Sequence, residues 1–501
     1  KECPSVQLRV VADQPWDVKA DLLAIPIVGE PAFDGPLGEL DRRAGGELSA
    51  LARFGEIRAK RYTSSIAAPG DFGAGRILTI SAGPAVDLDR ETVLHVGAAA
   101  QHRLGGRHVG SLAIWLTPLA DVLDGGAEAV AELVARGVVE GSFEPKTLYR
   151  EHEHVATAPP VLDELILVAP GGDAAALQRA GERGVIIGEG ANHARSLSNR
   201  SANDISPEVL AEEARAVAER HGLWIDVIEP DRARELGMGM FLAVGQGSDN
   251  PPRMILLRSG GEGERDALDR HLAIVGKGVC FDSGGISIKP SDRMEEMKMD
   301  KIGACTVIAA IGTVARLAPG TPLLAVAPAV ENMPGSHSTR PGDVVKALNG
   351  KWVDITNTDA EGRLILGDAM TYAERLGATH IVDVATLTGA VSRAFGTPQG
   401  WYDDVMRAAD TAAERYWQIP LLDDYVTEME SWYGDLQNSG SAEGSLVKSG
   451  LFLREFRTVP WVHLDIGGTG YFRKTTAWAP RGATGVTHAT LVELALAGAK
   501  A

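Results

Sequence analysis

Residues 272–285 read LAIVGKGVCFDSGG, a short apolar run followed at once by charged side chains and glycines. The run Leu272–Val275 predicts a buried strand, because a short apolar segment bounded by glycine is typical of a sheet interior. Lys277 and Asp282 come after it, at the edge where α/β proteins place their active sites. An ordinary polar turn with glycines at positive φ explains the same residues when this segment is taken alone. The stretch therefore predicts an α/β sheet and leaves both interpretations of its edge open.

Further strand-like apolar runs follow this stretch and are separated by helical segments. They are Leu323–Val330, Ile381–Val384 and Val462–Ile466. A sheet covered by helices on both faces has this pattern. Up to about residue 170, short β-rich runs alternate with Ala- and Glu-rich helical stretches, which predicts a second α/β unit. The expected fold is α/β, with a smaller N-terminal α/β domain joined by a helix to a larger C-terminal α/β domain with a mixed sheet flanked by helices.

A helix-compatible segment with few apolar anchors, from Asp173 to about Ser201, predicts the helix that joins the two domains. We therefore assign residues 1–172 to the N-terminal domain and residues 173–501 to the linking helix and the second domain. The next helix is well signalled, because Ser206 is placed to cap its start and Gly222 lies just past its end.

Composition and charge limit the partners of the protein. The 501 residues are 45% hydrophobic and 23% charged, an ordinary mixture for a globular protein with two or more domains. The formal net charge of −18 repels polyanions and anionic lipid, so we expect no general binding to nucleic acid.

The sequence also predicts a cytoplasmic protein. The apolar run from Ile302 to Ala315 is shorter than the roughly 20 residues that a bilayer requires, and it predicts a buried core helix. Three cysteines in so long a chain are typical of a reducing compartment, and we see no secretory signal. We therefore expect no membrane partner. His152 and His154 lie in a polar stretch that favours a solvated loop over a metal site.

Acidic residues also stand at the starts of two predicted helices. Asp300 precedes the run at 302–315, and Asp359 and Glu361 precede the predicted helix Leu364–Leu376. Asp359 and Glu361 are two positions apart, so an extended backbone would point both carboxylates the same way. The alternative is simple capping, because acids are common at helix starts.

Taken together, these segments predict a two-metal site as an alternative to helix capping. Two divalent cations would neutralise four carboxylates, those of Asp282, Asp300, Asp359 and Glu361. Two lysines then need different roles. A lysine that ligates a metal must be neutral, which nearby dications favour by depressing its pKa. The other can stay charged and face a developing oxyanion.

Four stretches resemble the signatures of the M17 leucyl aminopeptidases, the cytosol aminopeptidases. They are VGKGVCFDSGGISIKP (275–290), EEMKMD (295–300), ENMPGSHSTRPGD (331–343) and NTDAEGRLILGDA (357–369). The resemblance runs from about Arg195 to the C-terminus, whereas the N-terminal region matches only in size and α/β character. It implies a catalytic C-terminal domain and a metallo-exopeptidase. Such an enzyme releases N-terminal Leu, Met and other hydrophobic residues from short peptides by attack of a metal-bridging hydroxide.

The resemblance also implies roles for particular residues. The implied metal ligands are Lys277, Asp282, Asp300, Asp359 and Glu361, with Asp282 and Glu361 bridging two ions of Mn²⁺ or Zn²⁺ and with Mg²⁺ a third candidate. Lys289 would polarise the scissile carbonyl, and Arg363 would help to hold a bicarbonate ion that shuttles protons. The implied substrate-binding residues are Met297, Asn357, Thr386, Leu387, Gly389, Gly467 and Gly470. Family members form homohexamers, which the resemblance extends to this chain.

Three departures from the family pattern stand out. Gly467 and Gly470 stand where many relatives have Ala and Met in the wall around the first side chain. This predicts a roomier apolar pocket, unless the glycines only shape a turn. The stretch Asn199–Asn203 lacks an acid and a proline, which predicts altered inter-domain or oligomer contacts. Lys448 replaces a small or hydroxylated residue, and nothing in the sequence explains it.

Two rival functions remain at this stage. A catalytically silent member that serves as a scaffold would be expected to have lost a ligand, yet Lys289, Arg363 and all five implied ligands are present. A two-metal hydrolase of another class, such as a phosphatase, would also use two lysines. Hydrolysis of leucine p-nitroanilide against p-nitrophenyl phosphate separates these classes.

Overall fold

The computed structural model describes residues 6–388 and 393–499, without the side chains of residues 393–396. Its contacts divide the chain into two units. The first runs to Asn192 and includes Arg473–Arg481, and the second comprises His193–Phe472 and the chain from Gly482 onward. The boundary that we draw from the sequence after residue 172 stays a prediction.

The first unit is built on a sheet of six strands within the described residues. In chain order the strands are β1 (Gln7–Val11), β2 (Leu22–Val28), β3 (Ser64–Ala67), β4 (Ile77–Gly83), β5 (Ser111–Trp115) and β6 (Glu164–Val168). The helices are α1 (Gly35–Arg43), α2 (Glu47–Phe54), α3 (Arg90–His102), α4 (Thr117–Ala120) and α5 (Gly126–Gly141). The strand order is β1-β6-β5-β2-β4-β3, and every pair is parallel except β3 with β4. All of β4 is buried, as expected for a largely parallel sheet.

Two helices follow this sheet, α6 (Ala174–Asn199) and α7 (Pro207–His221). The predicted caps of α7 are confirmed, since the Ser206 hydroxyl accepts a hydrogen bond from the backbone N–H of Val209 at 3.3 Å. Gly222 ends the helix in the left-handed conformation that favours glycine, with φ of 64°.

The second unit is built on a mixed sheet to which nine of its described strands belong. The strands of this unit are β7 (Trp224–Ile228), β8 (Arg253–Ser259), β9 (Leu272–Gly276), β10 (Gly278–Asp282), β11 (Leu323–Asn332), β12 (Asp343–Lys346), β13 (Trp352–Ile355), β14 (His380–Ala385), β15 (Arg393–Thr397), β16 (Trp417–Gln418), β17 (Leu436–Gln437), β18 (Trp461–Asp465), β19 (Tyr471–Phe472) and β20 (Gly482–Ala483). The large sheet has the order β16-β15-β18-β14-β9-β11-β8-β7, with β10 paired to β11, and smaller sheets are β12-β13-β17 and β19-β20. Strands β18, β14, β9 and β11 are parallel to one another, whereas β15 and β8 run antiparallel to their neighbours β18 and β11. The predicted mixed sheet is therefore confirmed.

Further helices of the second unit alternate with these strands, and several of them pack on the large sheet as the sequence indicates. They are α8 (Pro230–Leu236), α9 (Gly239–Gly245), α10 (Ile302–Leu317), α11 (Gly362–Arg375), α12 (Gln399–Thr411), α13 (Ser445–Arg454) and α14 (His488–Leu496). Every residue of α10 from Ile302 to Val314 is buried, which confirms the predicted core helix. Among the described helices, none has the combined length and apolarity that crossing a bilayer would require.

Candidate functional site

Neighbouring strands bring polar side chains to one edge of the second unit's sheet. Lys277 directly follows β9, and Asp282 ends β10. Asn332 ends β11 opposite Asp282 in the parallel register, and Thr386 follows β14. This is the carboxyl edge at which α/β folds bind ligands.

Three carboxylates converge at this edge. Asp282, Asp359 and Glu361 each offer an oxygen atom, and these atoms lie within 4.8 Å of one another. The sequence predicted the convergence of Asp359 and Glu361 for the wrong reason. Glu361 has helical dihedrals, φ −76° and ψ −37°, so a turn before α11, and not an extended strand, brings its carboxylate to the cluster.

Lys277 forms a deeply buried group with two carboxylates, which we call the inner lysine group (Lys277, Asp300 and Glu361). Its Nζ lies 2.8 Å from Asp300 Oδ2 and 2.8 Å from Glu361 Oε1. The same amine donates to the carbonyl oxygen of Thr386 at 3.0 Å. A methyl group at Gly362 would lie 2.7 Å from this Nζ, so only glycine leaves room for the lysine at the start of α11.

Lys289 forms a second group closer to solvent, the outer lysine group (Lys289, Asp282 and Asp359). Its Nζ lies 2.8 Å from Asp282 Oδ2 and also contacts Asp359 Oδ1. The Lys289 side chain is 21% exposed, against 4% for Lys277. The two lysines therefore divide the carboxylates between them, with one lysine enclosed and the other facing open space.

The capping alternative is wrong for Asp300 and Glu361. Lys301, and not Asp300, occupies the N-cap position of α10. The Asp300 carboxylate instead contacts Lys277 and accepts a hydrogen bond from the Thr386 hydroxyl at 2.6 Å. Glu361 does occupy the N-cap position of α11, but its side chain makes no capping hydrogen bond.

Electrostatics at the site show an excess of negative charge. Burial raises the pKa of Asp300 to about 8 and that of Asp282 to about 6, with Glu361 adding to both shifts. Burial would lower the pKa of Lys277, but the charges of Asp300, Glu361 and Asp282 outweigh it and raise this pKa. The protein's own groups thus hold Lys277 as an ammonium. The neutral amine that we expect of a metal ligand requires the field of nearby cations.

The residues present fit divalent cations. When all four carboxylates are ionised, the two ammonium groups leave two negative charges uncompensated in a buried place, which is costly unless a cation balances them. Carboxylate oxygens are the ligands that Mn²⁺ and Mg²⁺ prefer, and Zn²⁺ also accepts them.

Arg363 lies on the first turn of α11 beside the carboxylates. Its Nη1 donates to the carbonyl oxygen of Asn438 at 2.8 Å and its Nη2 to the Ser449 hydroxyl at 2.7 Å. Its Nε is buried and donates no hydrogen bond within the described residues. Burial lowers the pKa of Arg363 to about 10, against the opposing effect of Glu361 and Asp465. An anion would satisfy both the unpaired donor and the buried charge.

Asp465 ties together two of the segments predicted to bind substrate. Its carboxylate accepts hydrogen bonds from the backbone N–H groups of Leu387 at 3.2 Å, Thr388 at 3.3 Å and Gly467 at 3.0 Å. A methyl group at Gly467 would lie 1.8 Å from the carbonyl oxygen of Thr388. Backbone therefore fills the space that a side chain would take, which favours the turn-shaping alternative at this position.

The other predicted substrate-binding residues have different settings. A methyl group at Gly470 would lie 3.3 Å from Ile302 Cδ1 and 3.5 Å from Thr386 Cγ2. Gly470 therefore lies beside Thr386, whose segment is also predicted to bind substrate. Met297 lies in the 3₁₀ helix Met294–Met299 and is partly exposed. Asn357 lines a cavity beside the outer lysine group. Gly389 lies outside the described residues, and the size of the pocket stays a prediction.

Sequence reasoning missed two asparagines at the site. Asn332 Nδ2 donates to Asp282 Oδ1 at 2.8 Å and to the carbonyl oxygen of Thr358 at 3.0 Å. Asn438 Nδ2 donates to the carbonyl oxygen of Asn357 at 2.7 Å, and its Oδ1 accepts from the backbone N–H of Thr356 at 3.0 Å. The end of the apolar run at 323–330 could have indicated Asn332, whereas no local signal indicates Asn438.

Lys448 has a structural explanation that the sequence did not offer. Its Nζ is buried and donates to Glu428 Oε2 at 2.7 Å, and to both the carbonyl and the hydroxyl oxygen of Ser441 at 2.8 Å. It also lies 5.6 Å from the centre of the Tyr425 ring. Lys448 thus holds the segment that carries Asn438.

Comparison with known proteins identifies the family. A sequence model of the cytosol aminopeptidase family's catalytic domain matches residues 192–492, and a model of its N-terminal domain matches residues 27–150. Together with the fold and the carboxylate cluster, these matches place the protein among the metal-dependent peptidases. The chain belongs to the cytosol aminopeptidase family. The N-terminal match corrects our expectation that this region resembles the family only in size and α/β character.

Relatives of similar length support the assignment. A probable cytosol aminopeptidase of Solibacter usitatus is 39% identical over 502 residues, which cover 98% of this chain and 99% of that protein. Another, of Geobacter sp. strain M21, is 38% identical over 468 residues, which cover 91% of this chain and 92% of that protein.

Solved structures are similar over almost the whole chain. A mutant of tomato leucine aminopeptidase superposes with a TM-score of 0.88 at 29% identity, covering 99% of this chain and 97% of that one. The bottromycin maturation enzyme BotP in complex with Mn superposes with a TM-score of 0.82 at 31% identity, covering 96% of this chain and 100% of that one. The protein is thus an aminopeptidase, and the phosphatase alternative is wrong.

Proposed function

We propose that this protein is a two-metal aminopeptidase that releases N-terminal Leu, Met and other hydrophobic residues from short peptides. The observation that carries the proposal is the convergence of three carboxylate oxygens within 4.8 Å of one another, flanked by two lysines. Burying an excess of negative charge is unfavourable, and the binding function of a scaffold protein would not offset that cost. The buried carboxylates therefore favour an enzyme over a scaffold protein.

The proposed metal ligands are Lys277, Asp282, Asp300, Asp359 and Glu361. The ions are Mn²⁺ or Zn²⁺, with Mg²⁺ as a third candidate, since the donor set is rich in oxygen. Divalent cations there would polarise the scissile carbonyl and make a nucleophile available at neutral pH by lowering the pKa of water.

The residues around the carboxylates orient the peptide. The carbonyl groups of Thr386 and Leu387 accept hydrogen bonds from the free α-amine of the substrate, which restricts the enzyme to N-terminal residues. Lys289 is a charged donor on the open side, where it stabilises the negative charge that develops on the carbonyl oxygen.

Arg363 holds a bicarbonate ion that carries protons to and from the reacting groups. The buried Nε without a partner supports an anion at this place, as do the backbone N–H groups at the start of α11.

The substrate's first side chain lies in an apolar pocket. Met297, Gly467 and Gly470 form its walls, and Asn357 and Gly389 complete the substrate contacts. The absence of a side chain at Gly470 lets the pocket accept Leu and Met and tolerate Phe, whereas Gly467 shapes the turn of the wall.

We also propose a homohexamer in the cytoplasm that acts on short peptides. The names of the relatives, probable cytosol aminopeptidases, support the compartment. Enclosure of the active sites in such an assembly would keep folded proteins out.

Hydrolysis of aminoacyl p-nitroanilides by metal-stripped protein tests the proposal. Mn²⁺, Zn²⁺, Mg²⁺ or no metal is restored to the wild type and to Asp359→Asn. We expect metal-restored activity, greatest for Leu and Met, that the variant lacks. If the folded and assembled wild type shows no hydrolysis with any of the metals, the catalytically silent alternative is favoured.

A further inference from the structure

A polar cavity of about 640 Å³ lies next to the outer lysine group. Its lining includes Ser287, Asn357, Glu428, Gln437, Ser439 and Ser441. Asn357 Oδ1 accepts a hydrogen bond from the backbone N–H of Asp359 at 2.9 Å, and the Ser287 hydroxyl accepts one from the backbone N–H of Thr358 at 3.1 Å, so the lining of the cavity adjoins the segment of Asp359. Glu428 supplies the one charged side chain among the residues that line it.

The position of the cavity indicates which part of a peptide occupies it. Lys277 contacts the Thr386 carbonyl on the inner side of the cluster, where the proposed function places the α-amine and the first side chain. A peptide whose first residue lies there, and whose scissile carbonyl meets Lys289 as proposed, continues past the outer lysine group. The residue that follows the scissile bond then enters the cavity.

Glu428 lines this cavity and has one carboxylate oxygen without a hydrogen bond in the described residues. Its Oε2 accepts hydrogen bonds from Lys448 Nζ at 2.7 Å, the Ser441 hydroxyl at 2.6 Å and the Ser441 N–H at 3.3 Å. Its Oε1 accepts none within the described residues. The hydrogen bonds from Lys448 and Ser441 lower the pKa of Glu428, so it is ionised at neutral pH. Lys448 itself is buried behind the carboxylate and does not line the cavity.

We propose that Glu428 is a specificity determinant for the second residue of the peptide and favours lysine or arginine there over glutamate or aspartate. This inference rests on the proposed function of the same site. The free Oε1 accepts a hydrogen bond from the cationic side chain, and the ionised carboxylate repels an acidic one. Lys448 is a positioning residue, because it fixes the carboxylate through Oε2 and leaves Oε1 able to accept a further hydrogen bond.

Competition between tripeptides tests the proposal on the metal-loaded full chain. The substrates are Leu-Lys-Gly, Leu-Leu-Gly and Leu-Glu-Gly, which share the first residue and keep the terminal carboxylate away from the second. We expect the ratio of kcat/KM for Leu-Lys-Gly over Leu-Glu-Gly to exceed one in the wild type. Glu428→Gln should lower that ratio by about two- to fivefold, the effect of one partly exposed charge pair.

Two further variants sharpen the test. Glu430→Gln removes an exposed acid of the same segment that does not line the cavity, and it should leave the ratio unchanged. Lys448→Met keeps the charge of Glu428 but releases the carboxylate that Lys448 fixes, so it should lower the ratio toward one. A ratio that Glu428→Gln leaves unchanged, while all three peptides are cleaved, overturns this inference alone. Failure of the wild type to cleave any of them overturns the proposed function.

Discussion

The inner and outer lysine groups contain the same chemical groups in different surroundings. Each places one ammonium between two carboxylates at 2.8 Å from at least one of them. The side chains of Lys277, Asp300 and Glu361 are at most 7% exposed, whereas Asp359 in the outer group is 31% exposed. A buried lysine whose position is fixed by several contacts suits a role as metal ligand, and a lysine that reaches solvent suits contact with substrate. The proposed roles of Lys277 and Lys289 therefore differ because the two side chains are buried to different depths, although the residue type is the same.

The largest expected difference concerns the stability of metal-free protein. Lys277→Met leaves Asp300 and Glu361 buried without their cation, so we expect it to lower the free energy of unfolding by about 3–5 kcal/mol. Urea unfolding in the presence of a chelator measures this. Lys289→Met is the matched control and should cost clearly less, because water reaches Lys289 itself and its partner Asp359. Equal losses in the two variants would show that the groups do not differ in this way.

The next effect concerns catalysis by the outer group. Lys289→Met removes the proposed donor to the developing oxyanion, and we expect kcat to fall by about 10²–10³. Steady-state kinetics with leucine p-nitroanilide measures the fall, and metal analysis checks that the variant still binds its ions. A decrease in kcat of less than tenfold, with full metal content, would remove Lys289 from the catalytic role.

The smallest effect concerns the wall of the pocket beside the inner group. Gly467→Ala places a methyl group 1.8 Å from the Thr388 carbonyl oxygen, so the segment with the Thr386 and Leu387 carbonyls must move. We expect KM for leucine p-nitroanilide to rise about tenfold, as for other overpacked sites. Gly400→Ala is the control, because nothing lies within 4 Å of its added methyl group. An unchanged KM in Gly467→Ala would show that the wall does not depend on this close approach.

The sequence predicted those parts of the fold and site that depend on neighbours along the chain. The strand at Leu272–Val275 is confirmed in β9, and the caps at Ser206 and Gly222 are confirmed in α7. Apolar runs and capping residues act over a few positions, so a single sequence shows them. The match to the cytosol aminopeptidase family is likewise carried by continuous strings of residues.

Contacts between distant segments could not be predicted in this way. Asn438 holds the segment of Asp359 from more than 70 positions away, and its own surroundings in sequence give no sign of this. Asp300 shows the reverse problem, because its position before α10 suggests a cap while its carboxylate binds Lys277. For residues of the functional site, the position of a residue in the sequence is therefore a poor guide to the partners of its side chain.

The number of metal ions bound per chain tests the central claim most directly. Protein loaded with excess Mn²⁺ and freed of unbound metal is analysed by inductively coupled plasma mass spectrometry, together with Glu361→Gln. The account predicts two ions per chain in the wild type and fewer in the variant, since Glu361 is the proposed bridge between the sites. One ion or none in folded, active wild-type protein would contradict it.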